Sequence, residues 1–359
     1  MSGLYQWEIG LDMGWTRFRY EVRDAADRRV ERGGEESTPE GLRRVLAKYQ
    51  GKERVRVSYE AGTQLYWVNE VVKGMGMESY PFHAASFALI VKSRNKSDKK
   101  DAEKIARAAV KEILPPKVVV AEGEERELRE LMSERETRKR ELVSYGNQLH
   151  ALAIREGFSL GASTLSTKEA NWESAVNRFT GRAGEAAKRW YRMALVLFQI
   201  LEEVETKIHE LTSHGELGEA RRRLESIPGI GRWVACGLLA WCGAQAARFA
   251  NGRKAASYFG LVGSTYESGQ RSRSGSITKA GPPLARRLLI PAAWAFLRSR
   301  KGRESQWGRW FFRQAKGKKR IKIAVVGLAR RIATAAVASL RNQTEWDARR
   351  LVGVGATQG

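Results

Sequence analysis

The chain has 359 residues, with 64 Lys and Arg against 40 Asp and Glu, a formal net charge of +24. Its length suffices for two or three domains, and a hydrophobic content of 42% excludes a disordered chain. This cationic excess indicates a polyanionic partner, either nucleic acid or an anionic membrane. A membrane is the weaker interpretation, because no stretch approaches about 20 uninterrupted apolar residues and MSGLYQWEIG is not a signal segment. We therefore expect nucleic acid and no membrane.

Cysteine and histidine usage excludes several chemistries. The two cysteines, Cys236 and Cys242, lie in the apolar run WVACGLLAWCG, which indicates small buried side chains rather than a disulfide framework or a zinc site. The four histidines are scattered without ligand spacing, so a zinc cluster or a Ser-His-Asp triad has little support. A reducing, cytoplasmic setting follows; the histidines are His83, His150, His209 and His214.

The first part of the chain, residues 1–123, alternates between strand and helix patterns, which is typical of an α/β domain. Apolar and polar residues alternate through YQWEIGLDMG and RFRYEV, and with RRVERG these segments predict an antiparallel meander. Thr38 and Pro39 have the residue types that begin a helix. After it we predict a strand at ERVRVSYEAG, a helix over 64–74, a strand over 78–82, helices over 84–91 and from KSDKKDAEKIA, and a last strand at PPKVVVAEG.

Residues 124–215 are charged and favour helices, with two long helical stretches over 124–157 and 173–211 separated by the loop GFSLGASTLSTKEA. They predict a helical hairpin or coiled coil. Residues 216–345 form a third, mostly helical domain, which includes the apolar helix of RWVACGLLAWCG and a last helix over 323–341. Residues 346–359 are a tail. The fold class is therefore α/β followed by α.

Four acidic residues fall at positions where a metal site could form. Asp12 lies in the first strand, Glu60 ends the strand ERVRVSYE, and Asp98 and Asp101 share one face of a helix. Singly, each is best interpreted as a solvated surface residue. Together they could hold two Mg²⁺ ions about 4 Å apart, the hard-oxygen arrangement that phosphoryl transfer uses. We therefore expect all four as Mg²⁺ ligands.

Three basic segments are candidates for nucleic-acid contact. Lys96, Lys99 and Lys100 flank the acidic pair. The turn PGIGR resembles the hairpin of helix-hairpin-helix modules, in which backbone amides meet DNA phosphates; an ordinary glycine-rich turn before a core helix is a second interpretation, compatible with the first. The loop 260–281 is rich in Ser, Gly and basic residues and indicates a flexible DNA-contacting loop. The residues expected to contact nucleic acid in these last two segments are Gly229, Gly231, Arg232, Arg271, Arg273 and Lys279.

Aromatic and basic residues alternate in QWGRWFFRQAKGKKR, residues 306–320. The aromatic side chains could stack on bases while the basic ones hold phosphates. A helix with core aromatics and solvated cations explains the pattern equally well. Over residues 252–320 the chain has 17 Lys and Arg and two acidic residues, so this part is its most basic.

The motifs taken in order resemble a known family. DMG with Asp12, EAG with Glu60 and KSDKKDAEKIA resemble the N-terminal domain of DEDD-type insertion-sequence transposases, the bridge-RNA-guided serine recombinases. IPGIG, NGRKAASYFGLV and SGSITKAG with ARRLL resemble their C-terminal transposase domain. The likeness covers nearly the whole chain. One departure is Pro282 in KAGPPLARR, where the family often has Asn.

The resemblance implies a RuvC-like, RNase H-like N-terminal domain that binds Mg²⁺, and a C-terminal serine that attacks a DNA phosphodiester to form a phosphoserine link. By position this serine is Ser268, with Ser274 and Ser276 as near competitors. The resemblance also implies donor and target DNA and a noncoding bridge RNA as partners. It further implies a homodimer or homotetramer supported by the helical hairpin, and a prokaryotic, nucleoid-associated protein.

Two other functions are compatible with the residues. A metal-dependent junction resolvase or nuclease would use the four acids alone and leave no covalent adduct. A non-enzymatic nucleic-acid scaffold would need none of them, but four clustered acids would weaken polyanion binding unless they held metal. No GxxxxGK[ST] phosphate loop is present, which agrees with rejoining strands through a covalent intermediate rather than with ATP.

Overall fold

The computed structural model describes residues 5–90, 98–161, 165, 169–268 and 271–347, with side chains except at 89–90, 98–100, 265–268, 271–274 and 318–319. The chain forms two compact units, Met1–Val120 and Ala121–Gly359. The first combines helices with a sheet of parallel and antiparallel strands, and the second is mostly helical, so the expected fold class, α/β followed by α, is confirmed.

A five-stranded sheet organises the first unit, in the order β3-β2-β1-β4-β5. β1 pairs antiparallel with β2 and parallel with β4, β2 pairs antiparallel with β3, and β4 pairs parallel with β5. The meander and the two following strands are therefore confirmed, and the arrangement is consistent with an RNase H-like domain. The strands are β1 (Trp7–Met13), β2 (Arg17–Asp24), β3 (Arg29–Glu36), β4 (Val55–Glu60) and β5 (Glu78–Phe82).

The prediction of a last strand at PPKVVVAEG is wrong. This segment forms only an isolated antiparallel bridge between Phe82 and Lys117, and a hydrogen bond from the Val118 N–H to the Pro81 carbonyl. The segment begins with two consecutive prolines, and proline has no N–H to donate to a ladder. The two missing N–H donors therefore argued against a strand more strongly than the apolar run VVV argued for one.

Two helices, α1 (Pro39–Leu46) and α2 (Leu65–Gly74), form the core of the first unit with one face of the sheet. α1 begins as predicted, because the Thr38 hydroxyl accepts a hydrogen bond from the Gly41 N–H at 3.0 Å and Pro39 is the first helical residue. The buried residues on this face of the sheet include Ile9, Leu11, Val55, Val57 and Tyr59.

Two further helices follow β5: α3 (Ala84–Ile90) and α4 (Asp98–Val110). α4 packs closely on the other face of the sheet. A Cβ atom on Gly10 would lie 2.5 Å from the Ala102 carbonyl oxygen and 2.5 Å from the Ala106 nitrogen, so glycine is needed where α4 crosses β1. The predicted helix over 84–91 extends to Val91, which lies outside the described residues.

Long helices begin the second unit: α5 (Gly123–Arg155), α6 (Glu169–Val176) and α7 (Gly181–Leu211). α5 and α7 share an apolar core, and Arg135 in the first half of α5 pairs with Glu205 near the end of α7, so the two run antiparallel. The single stretch predicted over 173–211 is wrong, because it breaks before Gly181, which has φ +54°.

The remaining helices surround the largest core of the protein. Pro282, the departure from the family pattern, precedes α11 with φ −65°, and Pro283 is its first residue, so this segment begins a helix normally. The helices are α8 (Gly215–Glu225), α9 (Arg232–Cys242), α10 (Gly252–Tyr258), α11 (Pro283–Arg298), α12 (Arg300–Glu304), α13 (Gln306–Gln314) and α14 (Lys318–Asn342).

One region of the second unit is not helical. Residues 260–281, interpreted from sequence as a flexible loop, contain a two-stranded antiparallel hairpin, β6 (Gly263–Ser268) and β7 (Arg271–Ile277). The Ser and Thr residues alternate with larger side chains here, which suits a strand, but abundant Gly and Ser made the loop interpretation the stronger one.

α14 is the one described helix that is long and apolar enough to cross a membrane by length and composition, over Arg320–Asn342. Just over half of that apolar window is buried within the unit. Leu328, Ile332 and Val337 are fully buried in the core that α14 shares with the other helices. A buried core helix explains its composition.

Candidate active site

The sheet brings two of the four predicted acids to one edge. β1 and β4 run parallel, and their last paired residues are Leu11 and Tyr59. Asp12 and Glu60 come next on the two strands, so they lie side by side at the carboxyl edge. Asp12 follows Gly10 by two residues and Glu60 follows Ser58 by two. Residues two apart on a strand share a face, so both acids lie on the face of the sheet that α4 covers.

α4 brings its first turn to the same edge. At the other end of the helix, Arg56 donates hydrogen bonds to both carboxylate oxygens of Glu8, at 2.9 and 2.7 Å, and to the Ala109 carbonyl at 2.8 Å. Glu8 lies near the start of β1 (Trp7–Met13) and Asp12 near its end, so α4 runs antiparallel to β1. The first turn of α4, which begins at Asp98, therefore lies near Asp12.

A buried ion-pair network fixes α4 on the sheet. Glu21 on β2 is fully buried and pairs with Arg23 at 2.6 Å and Arg32 at 3.0 Å. Arg32 also pairs with Glu103 of α4 at 2.7 Å. Because an unpaired buried charge is costly, the network disfavours sliding or rotation of α4.

The carboxylates at this edge interact electrostatically. The pKa of Glu60 is raised, chiefly because burial disfavours its charged form and secondly because the carboxylate of Asp101 repels it; His83 acts in the opposite direction. Lys104 pairs with Asp101 at 2.6 Å. Like charges held together in this way favour a bound cation.

The fit to Mg²⁺ can be tested on the described side chains. Asp12, Glu60 and Asp101 supply the hard carboxylate oxygens that Mg²⁺ requires. Among the side chains that the structure describes, however, no three of the His, Cys, Asp and Glu type approach closely enough to hold a metal ion. The side chain of Asp98 lies outside the described residues. The donor chemistry fits Mg²⁺, and the three described acids share an edge without forming a closed set of ligands.

The second unit contains the hairpin with the candidate serine. Ser268 is the last residue of β6 and pairs in register with Arg271, the first residue of β7. Ser274 lies opposite Thr265 farther along the ladder, and Ser276 is near its far end, where its carbonyl accepts a hydrogen bond from the Ser264 hydroxyl at 3.1 Å. Ser268 is thus the one of the three candidates that flanks the hairpin turn.

Two sequence models of transposase families match this chain. A DEDD transposase model for IS110 elements matches residues 9–155, and the model described as "Transposase IS116/IS110/IS902 family" matches residues 221–307. The chain belongs to the IS110 family of DEDD transposases. The first match contains the four acids, and the second contains the PGIG turn and the β6–β7 hairpin.

Curated relatives agree with this assignment. The chain is 27% identical to a putative transposase of Sinorhizobium fredii over 80% of both chains. It is 26% identical to a probable family 20 transposase of Pseudomonas aeruginosa, over 84% of this chain and 87% of the relative. It is also 27% identical to the transposase of insertion sequence IS1328 of Yersinia enterocolitica, over 59% of this chain and 63% of the relative.

The predicted nucleic-acid contacts of this IS110-family chain fall in different places. Lys96 lies outside the described residues, and Lys99 and Lys100 lie in α4 with side chains that are not described. The side chains of Arg271 and Arg273, on β7, are likewise not described, whereas Lys279 is exposed just after the hairpin.

The PGIG turn has a structural explanation as well as a possible phosphate contact. Gly229 has φ +84°, and a Cβ atom there would lie 2.4 Å from the Ala292 carbonyl oxygen and from the Phe296 nitrogen of α11. Gly231 precedes α9 without a side-chain cap, and Arg232 is exposed at its first position. Close packing therefore requires Gly229, whereas Gly231 leaves the first amides of α9 without a side-chain cap.

Two residues at the carboxyl edge were missed from sequence. Lys104 pairs with Asp101, and His83 directly follows β5, whose last residue, Phe82, pairs in register with Glu60. The helical spacing of Lys104 from Asp101 was a usable signal. His83 had one too, because it directly follows the strand predicted over 78–82.

Proposed function

We propose that this transposase joins donor and target DNA through a covalent phosphoserine intermediate on Ser268, with Mg²⁺ held by Asp12, Glu60, Asp98 and Asp101. The observation that carries the proposal is the gathering of acids on one sheet edge, where burial and Asp101 raise the pKa of Glu60. An edge that repels its own charges is suited to a divalent cation.

The chemistry balances without a further reactant. The Ser268 hydroxyl oxygen forms a bond to phosphorus and loses its proton, while one bridging phosphorus–oxygen bond breaks and the freed DNA hydroxyl takes up a proton. Attack by a DNA hydroxyl on the phosphoserine reverses these changes and rejoins the strands. Mg²⁺ would supply polarisation of the phosphate and stabilise developing charge.

Several residues have roles in this proposal. The carboxylates hold the cation, and Lys104 neutralises Asp101 when no cation is bound. Three basic segments would contact DNA or RNA phosphates: the lysines Lys96, Lys99 and Lys100, the PGIGR turn, and the hairpin region with Arg271, Arg273 and Lys279. The activation that the Ser268 hydroxyl needs would come from the metal or from a Lys or Arg neighbour.

The wider assignment rests on the family resemblance. We propose a noncoding bridge RNA that pairs with donor and target DNA, a homodimer or homotetramer, and action in the prokaryotic cytoplasm at the nucleoid. The four-part division at residues 123, 215 and 345 also remains a proposal. RNA guidance predicts that exchanging the guide segments of the element's noncoding RNA changes which DNA is joined.

Trapping the intermediate tests the mechanism. We expect a denaturant-resistant protein–DNA adduct with the wild type and none with Ser268→Ala, while DNA binding is retained. Ser274→Ala and Ser276→Ala are matched controls on the same hairpin and should keep the adduct. An adduct that survives Ser268→Ala but not one of these changes would transfer the nucleophile to that serine.

The alternative is a metal-dependent RuvC-like resolvase or nuclease, which is favoured by the location of all four acids within Met1–Val120. It predicts hydrolysed DNA with free ends, no adduct, and indifference to Ser268→Ala. Asp101→Asn should abolish the reaction in both mechanisms, so its loss of activity does not distinguish them. The covalent adduct expected with the wild type does.

A further inference from the structure

Two large aromatic side chains of the second unit are exposed next to the same buried ring. Trp294 on α11 is 40% exposed, and Phe312 on α13 is 53% exposed. Both rings contact the buried ring of Phe311 edge-on, with centroid distances of 6.1 and 5.4 Å. Both exposed rings therefore lie against one fixed core ring.

The packing of α13 determines that Phe312 faces outward. Trp307 and Phe311 are buried in the core. Trp310 packs against α14, where a Cβ atom on Gly327 would lie 2.7 Å from its ring and where the Arg331 guanidinium lies 3.6 Å from the ring centroid. Because these contacts fix the rotation of α13, burying Phe312 would require uncovering them.

Exposed cations lie close to the two rings along the chain. Arg298 is one turn beyond Trp294 on α11, Arg309 and Arg313 flank Phe312 on α13, and Lys316 follows that helix; all four are exposed. Arg309 donates to the Glu304 carbonyl, and in the described part of the chain none of the four pairs with a carboxylate. Residues 291–320 contain ten Lys and Arg and one acidic residue, Glu304, which pairs with Arg300.

We infer that this Trp294–Phe312 surface, which comprises the two rings with Arg298, Arg309, Arg313 and Lys316, binds an unpaired DNA strand. Exposed rings provide faces on which bases stack, and neighbouring cations hold the phosphates. The surface would take the single strands that DNA joining produces, a partner separate from the residues proposed to break phosphodiesters.

Other occupants fit the surface less well. A second copy of this chain would bring two cationic patches together without carboxylates to pair them, which is unfavourable. Duplex DNA satisfies the cations but keeps its base faces stacked, so it leaves the rings unused. An unpaired strand alone uses both parts of the surface.

Binding of fluorescent oligothymidylate of about 16 nucleotides to the full-length protein tests the inference. Fluorescence anisotropy is measured in EDTA, so the result does not depend on metal, on Ser268 or on any DNA joining. Trp294→Ala and Phe312→Ala should each weaken single-strand binding roughly 5- to 100-fold, and Phe312→Trp should retain it. Binding of a duplex of the same length should change less than about threefold, because the cations remain.

Two variants serve as matched controls. Ile154→Ala removes an exposed apolar side chain from α5, and Arg300→Ala removes an exposed cation that Glu304 already neutralises. Both should bind the strand like the wild type. Thermal unfolding of each variant identifies any loss of folding, and Phe312→Trp keeps an aromatic ring in place if Phe312→Ala proves unstable.

Unchanged single-strand binding in folded Trp294→Ala and Phe312→Ala would overturn the inference. Equal losses of affinity for duplex and for single strand in these variants would also overturn it, because they would indicate a surface that binds any nucleic acid by charge. If Trp294→Ala and Phe312→Ala weakened binding of an oligouridylate of the same length but not of oligothymidylate, the occupant would be RNA rather than DNA. None of these outcomes affects the proposal for Ser268, which the adduct assay tests.

Discussion

Glu60 shows how the neighbours of one side chain determine its chemistry. It ends β4, and partial burial together with the Asp101 carboxylate disfavours its charge, which raises its pKa. Its sequence neighbours, Tyr59 and Ala61, give no sign of this. The acid comes from another element, and Lys104, which partly neutralises that acid, lies one turn along the same helix.

The two cysteines are another case in which burial determines reactivity. Cys236 and Cys242 are buried and free, as the apolar run predicted. Burial raises the pKa of both thiols, that of Cys242 to about 12. The folded protein therefore keeps these thiols protonated at pH values where the unfolded chain begins to lose the protons.

We predict that iodoacetamide modifies neither thiol in the folded protein between pH 7 and about 9, and both in denaturant. Since the folded pKa of Cys242 is raised, the stability it contributes is complete below the unfolded pKa and is lost as pH rises from about 9 towards 12. Mass spectrometry of alkylated protein measures the reaction. Rapid modification of the folded chain at pH 8 would contradict the prediction.

At the scale of elements, the contact between β1 and α4 decides whether the acids meet. The sequence predicted both elements and the acids within them, but not that α4 crosses β1 at Gly10. The ion pair between Arg32 and Glu103 and the hydrogen bond from Arg56 to the Ala109 carbonyl then keep α4 in place. Without this packing Asp98 and Asp101 would be two acids on a solvated helix.

Gly10→Ala is therefore expected to lower the free energy of unfolding by about 1–3 kcal/mol, because the added Cβ overlaps the α4 backbone. It should also lower DNA-joining activity by displacing the first turn of α4. Gly74→Ala, at a position with no atom within 4 Å of the added Cβ, is the matched control. Denaturant unfolding measures both variants, and equal stabilities would contradict the packing.

At the scale of the whole molecule, the net charge of +24 dominates encounters with nucleic acid. Much of this charge lies in residues 252–320, in the second unit, while the candidate metal ligands lie in the first. Attraction of the polyanion and the chemistry on its phosphates are thus assigned to different parts of the chain.

Duplex binding should therefore weaken steeply with salt. If the protein neutralises six to ten phosphates, affinity should fall roughly 10³- to 10⁵-fold between about 50 and 200 mM salt. Arg298→Ala or Arg313→Ala should each reduce the slope of log affinity against log salt by about 1. Anisotropy titrations over this range measure the slope, and affinity independent of salt would exclude phosphate contacts as its main source.

The sequence by itself determined the elements whose patterns are local: the alternating strands, the Thr38–Pro39 helix start, the long charged helices, the cationic character and the four acids in order. It misjudged segments where backbone constraints outweigh composition, as at PPKVVVAEG, Gly181 and the β6–β7 hairpin. Only the tertiary structure decided which side chains interact, because the repulsion between Asp101 and Glu60 and the ring contact between Trp294 and Phe311 join residues distant in the chain. Such interactions depend on strand register and helix packing, which involve many residues at once, so the residue types at two positions do not predict that they interact.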